Sequence, residues 1–223
     1  MKHSIARHAL IAMASALGST CALAQSSVTI YGIAVIGMQA ARVNGDTTAR
    51  LESGGESGSR LGFRGQEGLG AGLRGIFALE TGIGLDNGGV TQGGVMWGRQ
   101  AYVGLSGNSI GSLTLGRQYS LLFSAVDNSD PFSTGLGSAF SSGIVSTLGG
   151  ARMNNSVLYT SPKFGPVTVG VQGALGEATT GRQWATNVRV ASGPFTLEGV
   201  YTSKQAFGNQ VTGRAALLGG TYD

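Results

Sequence analysis

The chain predicts an all-β fold, an antiparallel up-and-down transmembrane β-barrel, and three observations predict it. Apolar and polar residues alternate with a period of two through about ten short segments. The connections between them alternate in length, a few residues at one end of each hairpin and roughly eight to thirty at the other. Glycine occupies 40 of 223 positions against four prolines. That glycine lacks the every-third-residue spacing of collagen, and a chain that is 41% hydrophobic is no flexible linker. Tight turns and close strand contacts account for it.

An export signal precedes the pattern, over residues 1–24. Lys2 and Arg7 give a basic start, residues 9–17 an apolar run, and Ala22-Leu23-Ala24 an A-x-A cleavage site. The run is too short to span a bilayer. Gly18-Ser19-Thr20 lacks the aliphatic residue expected three positions before a lipidated cysteine, so Cys21 reads as part of the signal. Cleavage before Gln25 leaves 199 of the 223 residues, with neither histidine nor cysteine. Nucleophilic machinery that needs an imidazole base is thereby excluded, as are His/Cys metal sites and disulfides. Without Lys2 and Arg7, 13 basic residues face 11 acidic ones. A net charge of +2 argues against nucleic acid as a partner.

The segments follow in order. Residues 28–39 form the first and 59–67 the second; Gly68-Leu69-Gly70-Ala71-Gly72 then turns into the third, 73–82. The fourth, 97–106, joins the fifth, 112–118, through Asn108-Ser109-Ile110-Gly111. A long gap spans 119–151. The sixth and seventh, 156–161 and 167–174, flank Pro162-Lys163-Phe164-Gly165-Pro166, and the eighth and ninth, 184–191 and 195–203, flank Ser192-Gly193-Pro194. The tenth covers 212–222. In the second segment Leu61 and Phe63 oppose Arg60 and Arg64. In the third, Leu73, Phe77 and Leu79 oppose Arg74 and Glu80; in the ninth, Phe195, Leu197 and Tyr201 oppose Thr196, Glu198 and Thr202. One charged face and one greasy face suit a water-filled barrel in lipid. Trp97, Trp184, Phe195, Tyr201 and Tyr222 near segment ends suit its aromatic girdles.

Other motifs have plainer readings. Gly70-Ala71-Gly72-Leu73-Arg74-Gly75 matches G-x-G-x-x-G, but a strand follows it where a phosphate site needs a helix. Asn154-Asn155-Ser156 is a strand start, and Glu52, Glu56 and Glu67 are solvated rim charges.

Five motifs in order, Ser27-Val28-Thr29-Ile30-Tyr31-Gly32, Ser59-Arg60-Leu61-Gly62-Phe63-Arg64-Gly65-Gln66-Glu67, Gly98-Arg99-Gln100-Ala101-Tyr102-Val103-Gly104-Leu105, Leu115-Gly116-Arg117-Gln118 and Asn154-Asn155-Ser156-Val157-Leu158-Tyr159-Thr160-Ser161, resemble the general, trimeric, diffusive porins of Gram-negative outer membranes. The resemblance implies a sixteen-stranded barrel, a homotrimer in outer-membrane lipid, and a third extracellular loop folded into the lumen as a constriction. Residues 119–151 are that loop. By motif position Arg60, Arg117 and Arg152 match the family's wall arginines, and Asp127 and Asp130 are the loop acids facing them. Arg64, Arg74, Glu80, Arg189 and Glu198 are expected to line the lumen elsewhere. Alternation sets Arg117 beside Leu113 and Leu115, so its place in the pore requires a bulge. It sets Arg99 beside Ala101 and Val103, which keeps Arg99 out of the expected site.

The function implied is passive diffusion of small hydrophilic solutes and ions with a mild preference for anions, without turnover or cofactor. A barrel hydrolase working through carboxylates alone, or a ligand-binding or adhesive barrel, is the alternative; hydrolysis assays and saturable binding separate them. At about twenty residues per strand, sixteen strands need about 320 residues. The chain ends on Thr221-Tyr222-Asp223 where the family ends on an aromatic, usually phenylalanine. Residues 25–223 are therefore expected to be a partial barrel short of roughly six strands, and a chain of that length alone to aggregate or be degraded. Mass spectrometry of the protein from outer membranes is expected to find an unmodified Gln25 terminus. A diacylated Cys21 would make it a lipoprotein instead.

Overall fold

The computed structural model describes residues 26–135, 138, 150–177, 181–205 and 211–223. The export signal, its cleavage site and residues 136–137 and 139–149 of the long third gap lie outside the described residues. In chain order the strands are β1 (Ser27–Ile33), β2 (Ile36–Val43), β3 (Asp46–Ser53), β4 (Arg60–Gly70), β5 (Leu73–Gly82), β6 (Gln100–Gly107) and β7 (Gly111–Tyr119). A helix, α1 (Leu121–Ser129), follows. Then come β8 (Arg152–Thr160), β9 (Val167–Ala174), β10 (Gln183–Ser192), β11 (Phe195–Gln205) and β12 (Val211–Tyr222).

Ten strands form one antiparallel sheet in the order β1-β4-β5-β6-β7-β8-β9-β10-β11-β12. Apart from one insertion, each strand pairs with its neighbour in sequence, the meander that the alternating connection lengths predict. The insertion corrects the first predicted segment. Residues 28–39 are not one strand: after Ala34-Val35 the chain leaves the sheet as β2, which pairs only with β3. Asn44 and Gly45 turn this hairpin with φ of 53° and 96°, the positive values that a two-residue turn needs to match strand twist. β3 escapes sequence reading because Asp46–Ser53 carries no apolar face to bury.

The alternation of faces is as predicted. Val28, Ile30, Val103, Leu105, Leu113, Leu115, Val157, Val171, Leu197 and Leu218 are exposed on one side, where lipid would cover them. Glu80, Thr114, Ser156, Gln172, Glu198 and Thr202 are buried on the other. Rings meet in tilted pairs at both margins of the outer face. Trp184 and Tyr201 meet at 5.3 Å near the long-loop end, and Phe195 and Tyr222 at 4.9 Å near the short-turn end. From Phe195 to Tyr201 the strand rises roughly 20 Å at about 3.3 Å per residue, close to the height of a lipid-facing band.

The inner face carries α1. Ser120 caps its start, its Oγ accepting from the Phe123 N–H at 3.1 Å, and the Asp130 N–H closes the end on the Val126 carbonyl before Pro131. Its apolar stripe, Leu121, Leu122, Ala125 and Val126, is buried. Leu121, Leu122 and Ala125 pack into one cluster with Met153, Ala185 and Val200 of the wall, and the helix lies against β10, β11 and β12. Two polar clamps fix it there. Gln172, wholly buried, accepts from the Leu121 N–H and donates to the Tyr119 carbonyl, each at 3.0 Å. Glu198 accepts from Asn128 at 3.2 Å and from Asn187 at 2.7 Å.

Met153 and Ser156 both face inward though three residues apart, because Asn154 and Asn155 together oppose the single residue Arg117. Asn155 takes φ of 49°, which asparagine tolerates. This bulge lets β8 bury Met153 under α1 without turning Ser156 out to lipid.

Replacing Gln172 by leucine leaves a buried N–H and a buried carbonyl unpaired, at about 1–3 kcal/mol for each group that stays dry. The variant is expected to show earlier thermal loss of its compact electrophoretic form and faster proteolysis between residues 120 and 150. Wild-type rates would show that the helix is not held at this point.

Candidate functional site

Between the wall and α1 lies a cavity of about 470 Å³. Arg60 of β4, Arg152 of β8, Arg99 just before β6 and Tyr119 of β7 line its wall side, with Glu80 of β5 behind them. Asp127 and Ser124 face it from α1, and Glu56 from the loop before β4. Three of the five residues expected at the constriction, Arg60, Arg152 and Asp127, thus share one cavity.

The other two are elsewhere. Arg117 keeps the parity of Leu115, opposite Ala101, since the bulge adds its extra residue to β8 and so leaves β7 in register with β6. The Arg117 guanidinium bonds the Gly98 carbonyl at 2.8 Å and the Asn154 side chain, and it is absent from the cavity lining. Asp130 is 94% buried and folds back on its own loop, accepting from the N–H groups of Phe132 and Thr134 at 3.0 Å each. A hydrogen bond from the Ser138 hydroxyl, chiefly, and then these two N–H groups hold its carboxyl below the ordinary carboxylate range despite opposing desolvation. The loop staple is therefore complete above that range, and it is lost as acidification protonates the group.

Arg99 is the residue that alternation excluded and the structure brings in. It stands one residue before the first β5–β6 ladder pair, Glu80 with Gln100, at the strand mouth where side-chain direction is not yet fixed by the pleat. Its Nε donates to Glu80 Oε1 at 2.6 Å, and both side chains are buried. Tyr31 donates to the other Glu80 oxygen at 2.8 Å. The Tyr31 ring can lie there because it crosses Gly62, where an added Cβ would stand 2.5 Å from it. Arg99 stands in the third of the five motifs, but a strand read from residue 97 gave it outward parity; Tyr31 stands in the first motif, and Tyr119 and Gln172 carried no signal.

Arg60 donates to Ser57 Oγ at 3.0 Å, and Arg152 to the Arg99 carbonyl at 3.1 Å and Tyr119 Oη at 3.4 Å. Among the described residues neither pairs with a carboxylate. Asp127 accepts from the Thr134 hydroxyl at 2.9 Å. Two cations on one wall and a carboxylate on the other set a field across the cavity. The remaining expected lumen residues spread along the inner face: Arg64 lies over the Tyr31 ring at 5.2 Å, and Arg74 reaches Asn108 at 3.4 Å near a short turn. Arg189 pairs with Glu198 at 3.6 Å, but Glu198 is 3% exposed and serves as the clamp under α1. Among the described residues no group of three or more His, Cys, Asp or Glu could hold a metal ion, and no helix is long and apolar enough to cross a membrane.

An antiparallel meander with a lipid-facing outside, a charged inside and a loop helix seated within defines an outer-membrane β-barrel. The chain belongs to the Gram-negative porin family, whose pattern it matches over residues 9–223. It is 35% identical over 97% of its length to outer membrane porin protein 32 of Delftia acidovorans, covering 66% of that protein. It is 31% identical over 66% of its length to an outer membrane porin protein of Bordetella pertussis, covering 44% of that one. Among solved structures, the anion-selective porin from Comamonas acidovorans superposes with a TM-score of 0.76 at 30% identity, over 89% of this chain and 64% of that one. The chain thus spans less than two thirds of the length of these relatives. Its localisation is the outer membrane of a Gram-negative bacterium.

Replacing Arg99 by methionine strands a buried Glu80 charge, which costs about 3–5 kcal/mol, while removing both charges costs far less. Arg99→Met is accordingly expected to lower the temperature at which the folded form disappears more than Arg99→Met with Glu80→Gln does. Equal losses would show that the ion pair is not the contact that matters.

Proposed function

We propose that this chain forms the wall and constriction of a water-filled channel for passive diffusion of small hydrophilic solutes and ions, with a mild preference for anions. Residues 25–223 act as a partial barrel domain after removal of residues 1–24, and residues 119–151 supply the infolded loop. The assembly is a homotrimer in outer-membrane lipid, as the family resemblance implies. The reading is of a channel without turnover or cofactor, not of an enzyme.

The observation that carries this reading is the charge left over at the cavity. Arg99 cancels Glu80, so Arg60 and Arg152 face the lumen without a carboxylate partner among the described residues, against Asp127 alone from α1. Glu56 stands at the loop rim. The likeness to a porin named for anion selectivity supports the same sign. Wall arginines in water raise the local concentration of anions without binding them tightly, which suits flux better than capture.

The magnitude is modest. One charge about 7 Å from a permeating ion in water is worth roughly 0.6 kcal/mol, which screening at a Debye length of about 10 Å halves, so anions gain and cations lose about 1.7-fold each and their ratio changes about threefold. Arg60→Ala and Arg152→Ala are each expected to lower the anion-to-cation permeability ratio by about threefold, read as a reversal-potential shift in a salt gradient. The shift shrinks at high salt, where the Debye length falls below the pore radius. Reversal potentials unchanged in both variants would remove the assignment.

A further inference from the structure

Resting on that reading, we infer that Tyr119 is the positioning residue for ion preference: it aims Arg152 into the aperture and ties that aim to the seat of α1. Tyr119 ends β7, and Ser120, the cap of α1, follows it directly. Its ring lies 4.8 Å beneath the Arg152 guanidinium and 6.0 Å from that of Arg99. Its hydroxyl accepts from Arg99 Nη2 at 2.7 Å and from Arg152 Nη2 at 3.4 Å, and stands 3.4 Å from Glu80 Oε1, to which it donates. On the loop side the Tyr119 ring stacks with Phe123 of α1, centroids 5.0 Å apart and planes within 14°. Its carbonyl accepts from Gln172, the clamp that also holds the first helical N–H.

These contacts matter because Arg152 has little else. Its other hydrogen bond runs from Nε to the Arg99 carbonyl, and no carboxylate pairs with it among the described residues. A long cationic side chain without a partner samples several rotamers and spends its time hydrated. An aromatic face beneath the guanidinium holds it flat by cation–π attraction, and the hydroxyl sets its edge. Phe123 stacked on the same ring makes the direction of Arg152 depend on where α1 sits. Arg60, held by Ser57 of the preceding loop, does not share this support.

The test uses the protein purified from outer membranes, with the folded state checked by heat-modifiable migration and the permeability ratio read from reversal potentials in potassium chloride. Tyr119→Leu removes ring and hydroxyl, and it is expected to lower the anion-to-cation ratio by about twofold, most of what Arg152→Ala removes. In the Tyr119→Leu, Arg152→Ala double variant the ratio is expected to equal that of Arg152→Ala alone, since both changes act through one cation. Tyr119→Phe, which keeps the ring, is expected to shift it by less than half as much. A residue that merely supported the fold would alter melting without this dependence on Arg152. If Tyr119→Leu does not fold, Phe123→Leu, which unstacks the ring and leaves every arginine in place, is expected to lower the ratio in the same direction. A wild-type ratio in Tyr119→Leu, or in Phe123→Leu where that variant stands in, alongside a shifted Arg152→Ala overturns the inference alone, and so do additive shifts. An unshifted Arg152→Ala overturns the field reading and this inference with it.

Discussion

Hydrocarbon offers the backbone no hydrogen-bond partner, and that absence organises the chain from β1 to β12. Every N–H and C=O at membrane depth must find its partner in a neighbouring strand, which leaves a continuous antiparallel ladder as the economical solution. The ladder in turn imposes a period of two, so each strand offers alternate residues to lipid and to the lumen. Val103 and Leu105 face out because Tyr102 and Gly104 face in. The β2–β3 hairpin departs from the ladder after Ile33, at the long-loop end, where water can satisfy backbone groups.

A lumen full of water would offer no reason for a loop to stay inside it. The wall solves this locally. Over β8 to β12 the inner face turns apolar at Met153, Ala185 and Val200, and α1 buries Leu121, Leu122 and Ala125 there. Burial of three or four such side chains contributes several kcal/mol, at about 0.8 kcal/mol per methylene. Gln172 and Glu198 then restrict where the helix can slide. The apolar seat and the polar clamps place Asp127 opposite the arginines, and the field across the cavity follows from helix packing as much as from charge content.

Electrostatics on the wall side works by cancellation. Of the cations gathered near Tyr119, Arg99 is consumed by Glu80 in a buried pair. Such a pair contributes little net stability once both charges are dehydrated, yet breaking it is costly. Its effect is to keep a carboxylate charge out of the lumen field while holding Tyr31 and Tyr119 by their hydroxyls. Arg60 and Arg152, both half-buried, border the cavity without a carboxylate partner among the described residues, the condition under which a fixed cation would influence passing ions on the proposed reading.

Much of this architecture was legible in the residues themselves. Alternation in 59–67, 73–82 and 195–203 set both faces of β4, β5 and β11, and connection lengths set the meander, because pleat and lipid act on each strand separately. Motif position singled out Arg60 and Arg152, and the long loop supplied Asp127; all three border one cavity. Other features depended on contacts between strands. Asp46–Ser53 became a strand only by pairing with β2, and 119–151 hid a helix whose stripe has meaning only against an apolar patch on β8, β10 and β11. The outcome for Arg117 and Arg99 was decided by registry and strand ends: a bulge placed on β8 left Arg117 outward, and a position just outside the ladder let Arg99 turn in to Glu80. Sequence by itself determined which residues face lipid, since that rests on a local period. Which charges meet was decided by the tertiary structure, since a single inserted residue or strand terminus reverses the direction in which a side chain points.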